Sequence, residues 1–145
     1  MKQLSWFVAG VVALAIGCAS APPPAPSDKT VPGPQFLVGS EWELRDLGGA
    51  PVLQDHRPTL SFVEPGRIIG TGSCNRFGGA TELGDGTIKV GALQTTRMAC
   101  TPEIDAQERA YLAALQNAYR LELVSGQLVV HSESLEQPLR FTRTR

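Results

Sequence analysis

The chain has 145 residues, 42% of them hydrophobic, with 13 Lys or Arg against 14 Asp or Glu and a net charge of −1. That balance leaves no basic footprint for nucleic acid and no electrostatic basis for adhesion to anionic lipid. The length suits one modest hydrophobic core.

The N-terminus reads MKQLSWFVAGVVALAIGC. One charge, Lys2, precedes an apolar run from Leu4 to Ile16 broken only by Ser5 and Gly10. Such a run is too short to span a bilayer and matches the hydrophobic region of a secretory signal. Ala15 to Cys18, AIGC, resembles the lipobox of bacterial lipoproteins, which implies a signal peptide over 1–17 and a lipidated Cys18 as the mature N-terminus. The alternative is ordinary secretion without lipid. Several acyl chains, at about 0.8 kcal/mol per buried methylene, hold a protein stably on a membrane. Ala19, not Asp, follows Cys18, so the lipoprotein resemblance implies the outer membrane, with the domain facing the periplasm. Residues 18–36 form the lipidated cysteine and a tether: 19–35 hold six of the chain's 11 prolines and little that could fill a core. The folded domain is expected over 37–145.

Within that domain, short strands alternate with turn chemistry. EWELRDL (41–47) ends at Gly48-Gly49, TLSFV (59–63) ends at Glu64-Pro65-Gly66, and RIIGTG (67–72) leads back. Thr81–Leu83 and TIKV (87–90) flank the turn GDG. LELV (121–124) and QLVV (127–130) flank Ser125-Gly126, a two-residue connection suited to a primed turn. LRFTRT (139–144) alternates apolar and polar residues and would close the sheet. So many closely spaced strands argue for an antiparallel, barrel-like sheet.

One segment departs from this pattern. Residues 101–119 open with Thr101 as N-cap and Pro102 at the first helical position, followed by Glu103 and Asp105 where the helix dipole favours anions. Ile104, Tyr111, Leu112, Leu115 and Tyr119 recur on one face, predicting one long α-helix packed against the sheet. The fold class is therefore α+β. Glu108 falls near the middle of the apolar arc, where a bare carboxylate would cost several kcal/mol and needs partners.

With Cys18 assigned to lipid, Cys74 and Cys100 remain in an oxidising compartment and are expected to form a disulfide. A redox couple or a metal site is the rival reading. No C-x-x-C is present, and neither His56 nor His131 stands at ligand spacing from a cysteine, so neither a redox couple nor a metal is expected. The disulfide would draw the helix start against the loop around Cys74, bringing Asn75, Arg76, Arg97 and the loop's backbone N–H groups toward Glu108. Glu108 is then expected to accept hydrogen bonds that fix the loop; a general acid or base is the alternative.

The succession GSEW (39–42), TLSF (59–62), GTGSCNRFGG (70–79), LQTTRMAC (93–100), Glu108 with YLAAL (111–115), and LRF (139–141) resembles the META domain family and its HslJ-like envelope members. The resemblance implies a small α+β domain without cofactor or catalytic residues, associated with heat-shock or envelope-stress responses. GTGSCNRFGG then reads as a structural clamp, since neither a P-loop nor a G-x-G-x-x-G pattern is present. Trp42 reads as core, and Arg140, Arg143 and Arg145 as edge charges that could meet lipid headgroups or an acidic partner. The expected function is a non-catalytic, lipid-anchored envelope protein acting by protein binding. A barrel that binds a small ligand, or a thiol redox protein, is the alternative.

Overall fold

The computed structural model describes residues 28–145; the expected signal peptide over 1–17 and the expected lipidation site Cys18 lie outside the described residues. The elements are β1 (Lys29–Thr30), α1 (Pro34–Leu37), β2 (Glu41–Leu47), β3 (Ala50–Pro51), β4 (Thr59–Glu64), β5 (Arg67–Thr71), β6 (Arg76–Leu83), β7 (Ile88–Val90), β8 (Gln94–Thr95), α2 (Pro102–Gln116), β9 (Ala118–Val124), β10 (Gln127–Ser132) and β11 (Leu139–Arg143).

Every strand pairing is antiparallel, in the order β1-β9-β10-β11-β2-β4-β5-β6-β7, with β3 on β2 and β8 on β6. The sheet rolls until β7 returns beside β9. There one bridge, Thr87 to Arg120, and the Leu121 N–H donating to the Gly86 carbonyl at 2.8 Å join the ends. A single bridge is not a ladder, so the sheet is rolled rather than closed.

Alternation accounts for the inward faces. Trp42 and Leu44 of β2, Leu60 and Phe62 of β4, and Leu139 and Phe141 of β11 are all buried, each separated by one outward residue. Between β9 and β10, Ser125 (φ 50°) and Gly126 (φ 78°) both adopt left-handed backbone, as a primed hairpin turn requires. From α2, Tyr111, Ala114 and Leu115 fill the interior of the roll. Tyr111 meets Phe77 edge-on at 5.9 Å and Phe141 at 6.2 Å.

Helix α2 is shorter than its apolar spacing predicts. The Asn117 side-chain amide donates to the Ala113 carbonyl at 2.8 Å, closing the last turn, and β9 begins at Ala118. Tyr119 is therefore a half-exposed strand residue, not part of a helical face. Thr101 occupies the N-cap position, but its side chain makes no capping bond; its carbonyl accepts the Asp105 N–H at 3.0 Å.

The last part of the stretch expected as tether packs on the domain. Lys29 and Thr30 pair with Val124 and Leu123, and α1 buries Leu37 completely. Extended, proline-rich backbone is compatible with a short edge strand, so composition alone did not separate tether from edge.

The register sorts the molecule into two ends. At one end lie α1 and the turns at 64–66, 84–86 and 125–126, with the Ser125 N–H donating to the Asp28 carbonyl at 3.1 Å. At the other end lie the β5–β6 connection and α2, whose Tyr111 hydroxyl donates to the Thr59 carbonyl at 3.0 Å.

Candidate functional site

The β5–β6 connection is Gly72-Ser73-Cys74-Asn75, closed by the Gly72 N–H donating to the Asn75 carbonyl at 2.7 Å. Cys74 is joined by a disulfide to Cys100, one residue before the helix cap, with Cα atoms 6.3 Å apart. The bond places the second turn of α2 over the connection.

Two adjacent side chains of α2 do the clamping. One carboxylate oxygen of Glu108 accepts the Cys74 N–H at 2.9 Å and the Asn75 N–H at 2.6 Å, while the other accepts the Asn75 side-chain amide at 2.8 Å. The Gln107 carbonyl oxygen accepts the Leu53 N–H at 2.7 Å, and its amide donates to the His56 carbonyl and to the Ser73 hydroxyl, both at 2.8 Å. Both side chains are buried. Successive loop N–H groups aimed at one carboxylate satisfy it without a cation.

Asn75 extends the network. Its Oδ1 accepts the Thr96 hydroxyl at 2.9 Å and the Met98 N–H at 2.7 Å, so one residue ties the connection, the 96–98 segment and α2 together. Crowding explains the neighbouring glycines. A Cβ at Gly72 would lie 2.6 Å from Glu108 Cγ, and one at Gly70 would collide with the Thr59 carbonyl oxygen.

Of the residues that the sequence pointed toward Glu108, the structure brings Asn75 and the loop N–H groups into contact. It does not bring Arg76 or Arg97 there: both are exposed, and neither forms an ion pair among the described residues. Gln107 was missed, although a second polar residue beside Glu108 on the inward face is the signal that marks it. The Cys74 and Cys100 sulfurs and an Asp105 carboxylate oxygen lie within 4.8 Å of one another, but with the sulfurs bonded together the group offers a metal only the Asp105 carboxylate. Burial raises the Tyr111 hydroxyl well above the usual tyrosine range, keeping it a neutral donor. Trp42 is in the core, its ring N–H donating to the Ser40 hydroxyl at 2.6 Å. His56 contributes through its backbone, its carbonyl accepting from Gln107 and its N–H donating to the Leu53 carbonyl at 3.1 Å, and His131 faces Glu122 at 3.2 Å.

Outside the roll, an open trough of about 840 Å³ runs over β5 and β6 and is walled by residues 92–96. Arg67 and Arg76 stand at its margins. Ile69 and Gly78, paired across the strands, form its floor. A Cβ at Gly78 would make only ordinary contacts, the nearest at 3.5 Å, so nothing in the fold excludes a side chain there.

A rolled antiparallel sheet plugged by one helix, with a cysteine-tied loop held on a helical glutamate, defines a small α+β domain class. Residues 35–145 match the META domain, and the chain belongs to that family. It is 31% identical over 132 residues to the heat shock protein HslJ of Escherichia coli (strain K12), covering 90% of this chain and 89% of that one. A protein from Burkholderia xenovorans solved by NMR superposes with a TM-score of 0.62 at 28% identity, over 77% of this chain and 86% of that one. A second NMR structure superposes at 0.61, also at 28% identity, over 75% of this chain and 92% of that one. Among the described residues, no helix is long and apolar enough to cross a membrane.

Proposed function

We propose that this protein is a non-catalytic component of the bacterial envelope, held by lipid at Cys18 on the periplasmic side of the outer membrane. There it binds another protein during heat or envelope stress. The similarity to a heat shock protein supports the stress setting, and the AIGC motif supports the anchor. Glu108, the buried carboxylate best placed to look catalytic, has three loop donors holding it in a structural role.

The observation that carries protein binding is the trough over Gly78. Small-molecule sites enclose most of their ligand, whereas an open channel across a sheet face suits a polypeptide segment. A glycine within a strand weakens it, and where the fold does not require one, close approach of another backbone is the remaining use. A photocrosslinking residue at Ala80, beside the trough, should yield a discrete protein adduct in heat-shocked cells. A crosslinker at exposed Glu133 should not, and Arg76→Glu should abolish the Ala80 adduct. A co-purifying small molecule with no adduct would overturn this reading in favour of a ligand carrier.

A further inference from the structure

The end of the roll capped by α1 carries an apolar groove, away from the clamp, that meets the trough only at Pro65 and Gly66. Pro34, Val38, Pro65 and Leu83 line most of it, in a space of about 390 Å³. At the same end, Phe36 is 45% and Val63 44% exposed. The Arg143 guanidinium lies 5.2 Å above the Phe36 ring. A cation stacked on a half-exposed aromatic beside an apolar patch is the arrangement that suits the headgroup level of a bilayer, with the ring toward the chains and the charge toward phosphate.

The chain itself says what lies nearby. The described fold begins at Asp28, beside the 125–126 turn and on the α1 end. Ten peptide steps separate Asp28 from Cys18, a reach of at most roughly 35 Å when fully extended. The α1 end is therefore tethered closest to whatever holds Cys18. We propose that this end rests on the lipid surface, with the groove and Phe36 against the bilayer, Arg143 among the headgroups, and the Cys74–Cys100 end facing away. The proposal depends on the anchoring of Cys18 argued above. The membrane then orients the domain, whereas a tether alone would leave it free to tumble.

The test uses the full, processed protein reconstituted into phosphatidylethanolamine–phosphatidylglycerol vesicles with and without brominated acyl chains, with mass analysis of the N-terminal peptide. Of the chain's two tryptophans, Trp6 lies in the expected signal peptide and Trp42 is buried, so Phe36→Trp and Val63→Trp add reporters at the α1 end. Met98→Trp reports the opposite end, where Met98 is 61% exposed. Bromolipid should quench the Phe36→Trp and Val63→Trp signals about twofold and leave Met98→Trp at the wild-type level. Equal quenching at both ends, or none at Phe36→Trp with an acylated N-terminal peptide, would overturn the docking and leave the anchor intact. A Phe36→Trp emission that shifts red on excision of 19–27, with no lipid quenching, would assign the groove to the chain's own proline-rich segment and likewise overturn it. An N-terminal peptide without acyl chains would instead remove the anchor, and with it the reason for a lipid occupant.

Discussion

Glu108 and Asn75 hold each other at two points: the Asn75 N–H donates to one carboxylate oxygen at 2.6 Å and its side-chain amide to the other at 2.8 Å. With the Cys74 N–H, three donors converge on one buried anion. Glu108→Ala removes the acceptor of both backbone N–H groups and leaves the Asn75 amide only the Met98 carbonyl at 3.4 Å, and should lower unfolding stability by more than about 2 kcal/mol. Glu108→Gln keeps the shape but turns an N–H₂ toward a donor, and should cost about 1–3 kcal/mol. Urea unfolding monitored by circular dichroism measures both. Near-neutral values for both variants would mean that the loop does not depend on this residue.

Gly72 and Glu108 should be coupled. A methyl at position 72 would sit 2.6 Å from Glu108 Cγ and 2.7 Å from its Oε2, so Gly72→Ala either displaces the carboxylate or moves the loop. The expected loss is about 1–3 kcal/mol. In the Glu108→Ala background the obstruction is gone, so Gly72→Ala should there cost markedly less than it does alone. A double-mutant cycle reads this as a non-additive interaction. Strict additivity would show that the glycine is required for some other reason.

The Cys74–Cys100 bond closes a loop with a sequence separation of 26. In the chain-entropy account, a loop of that size contributes about 3.5 kcal/mol by restricting the unfolded chain. The Cys74→Ser/Cys100→Ser pair should lose stability on that scale while keeping its far-ultraviolet spectrum. Thiol titration of protein isolated from cells without reductant should find both sulfurs unreactive. Rapid reaction of both before denaturation would revive a redox role.

What the sequence revealed follows from how local each signal is. EWELRDL is β2 residue for residue, because alternation is set by near neighbours. The partners of Glu108 were legible in kind: a carboxylate amid apolar helix positions must be satisfied, and the cysteine pair indicates which loop is near. Arg76 was a poor candidate because it opens β6, where alternation sends its side chain outward while Phe77 turns inward. Two-residue strands such as β3 and β8 are made by pairing, not propensity, and leave no periodic trace. Gln107 escaped notice because its partners, Leu53, His56 and Ser73, are recruited from two separate loops.

The outward face of β9 and β10 carries an acid-sensitive contact. The Glu122 carboxylate faces the His131 ring at 3.2 Å and the Arg120 guanidinium at 2.7 Å. The hydrogen bond to His131 lowers its pKa most; burial, the next largest effect, opposes it, and the charges of Arg120, His131 and Lys29 each add a smaller downward push that leaves it below the usual range. A lowered folded-state pKa means that the unfolded chain takes up protons first. The stabilisation is therefore complete above the unfolded glutamate value of about 4.3, and is lost as pH falls through the lower folded value. Solvent screens this face, so the effect should lie in the range of about 0.2–1 kcal/mol found for surface pairs. Wild type should exceed Glu122→Gln by that amount at pH 5 and converge with it at the acid end of a urea series. A gap that persists or widens below the folded value would assign the stabilisation to packing of the side chain, because a charge effect must vanish once the carboxylate is protonated in both states.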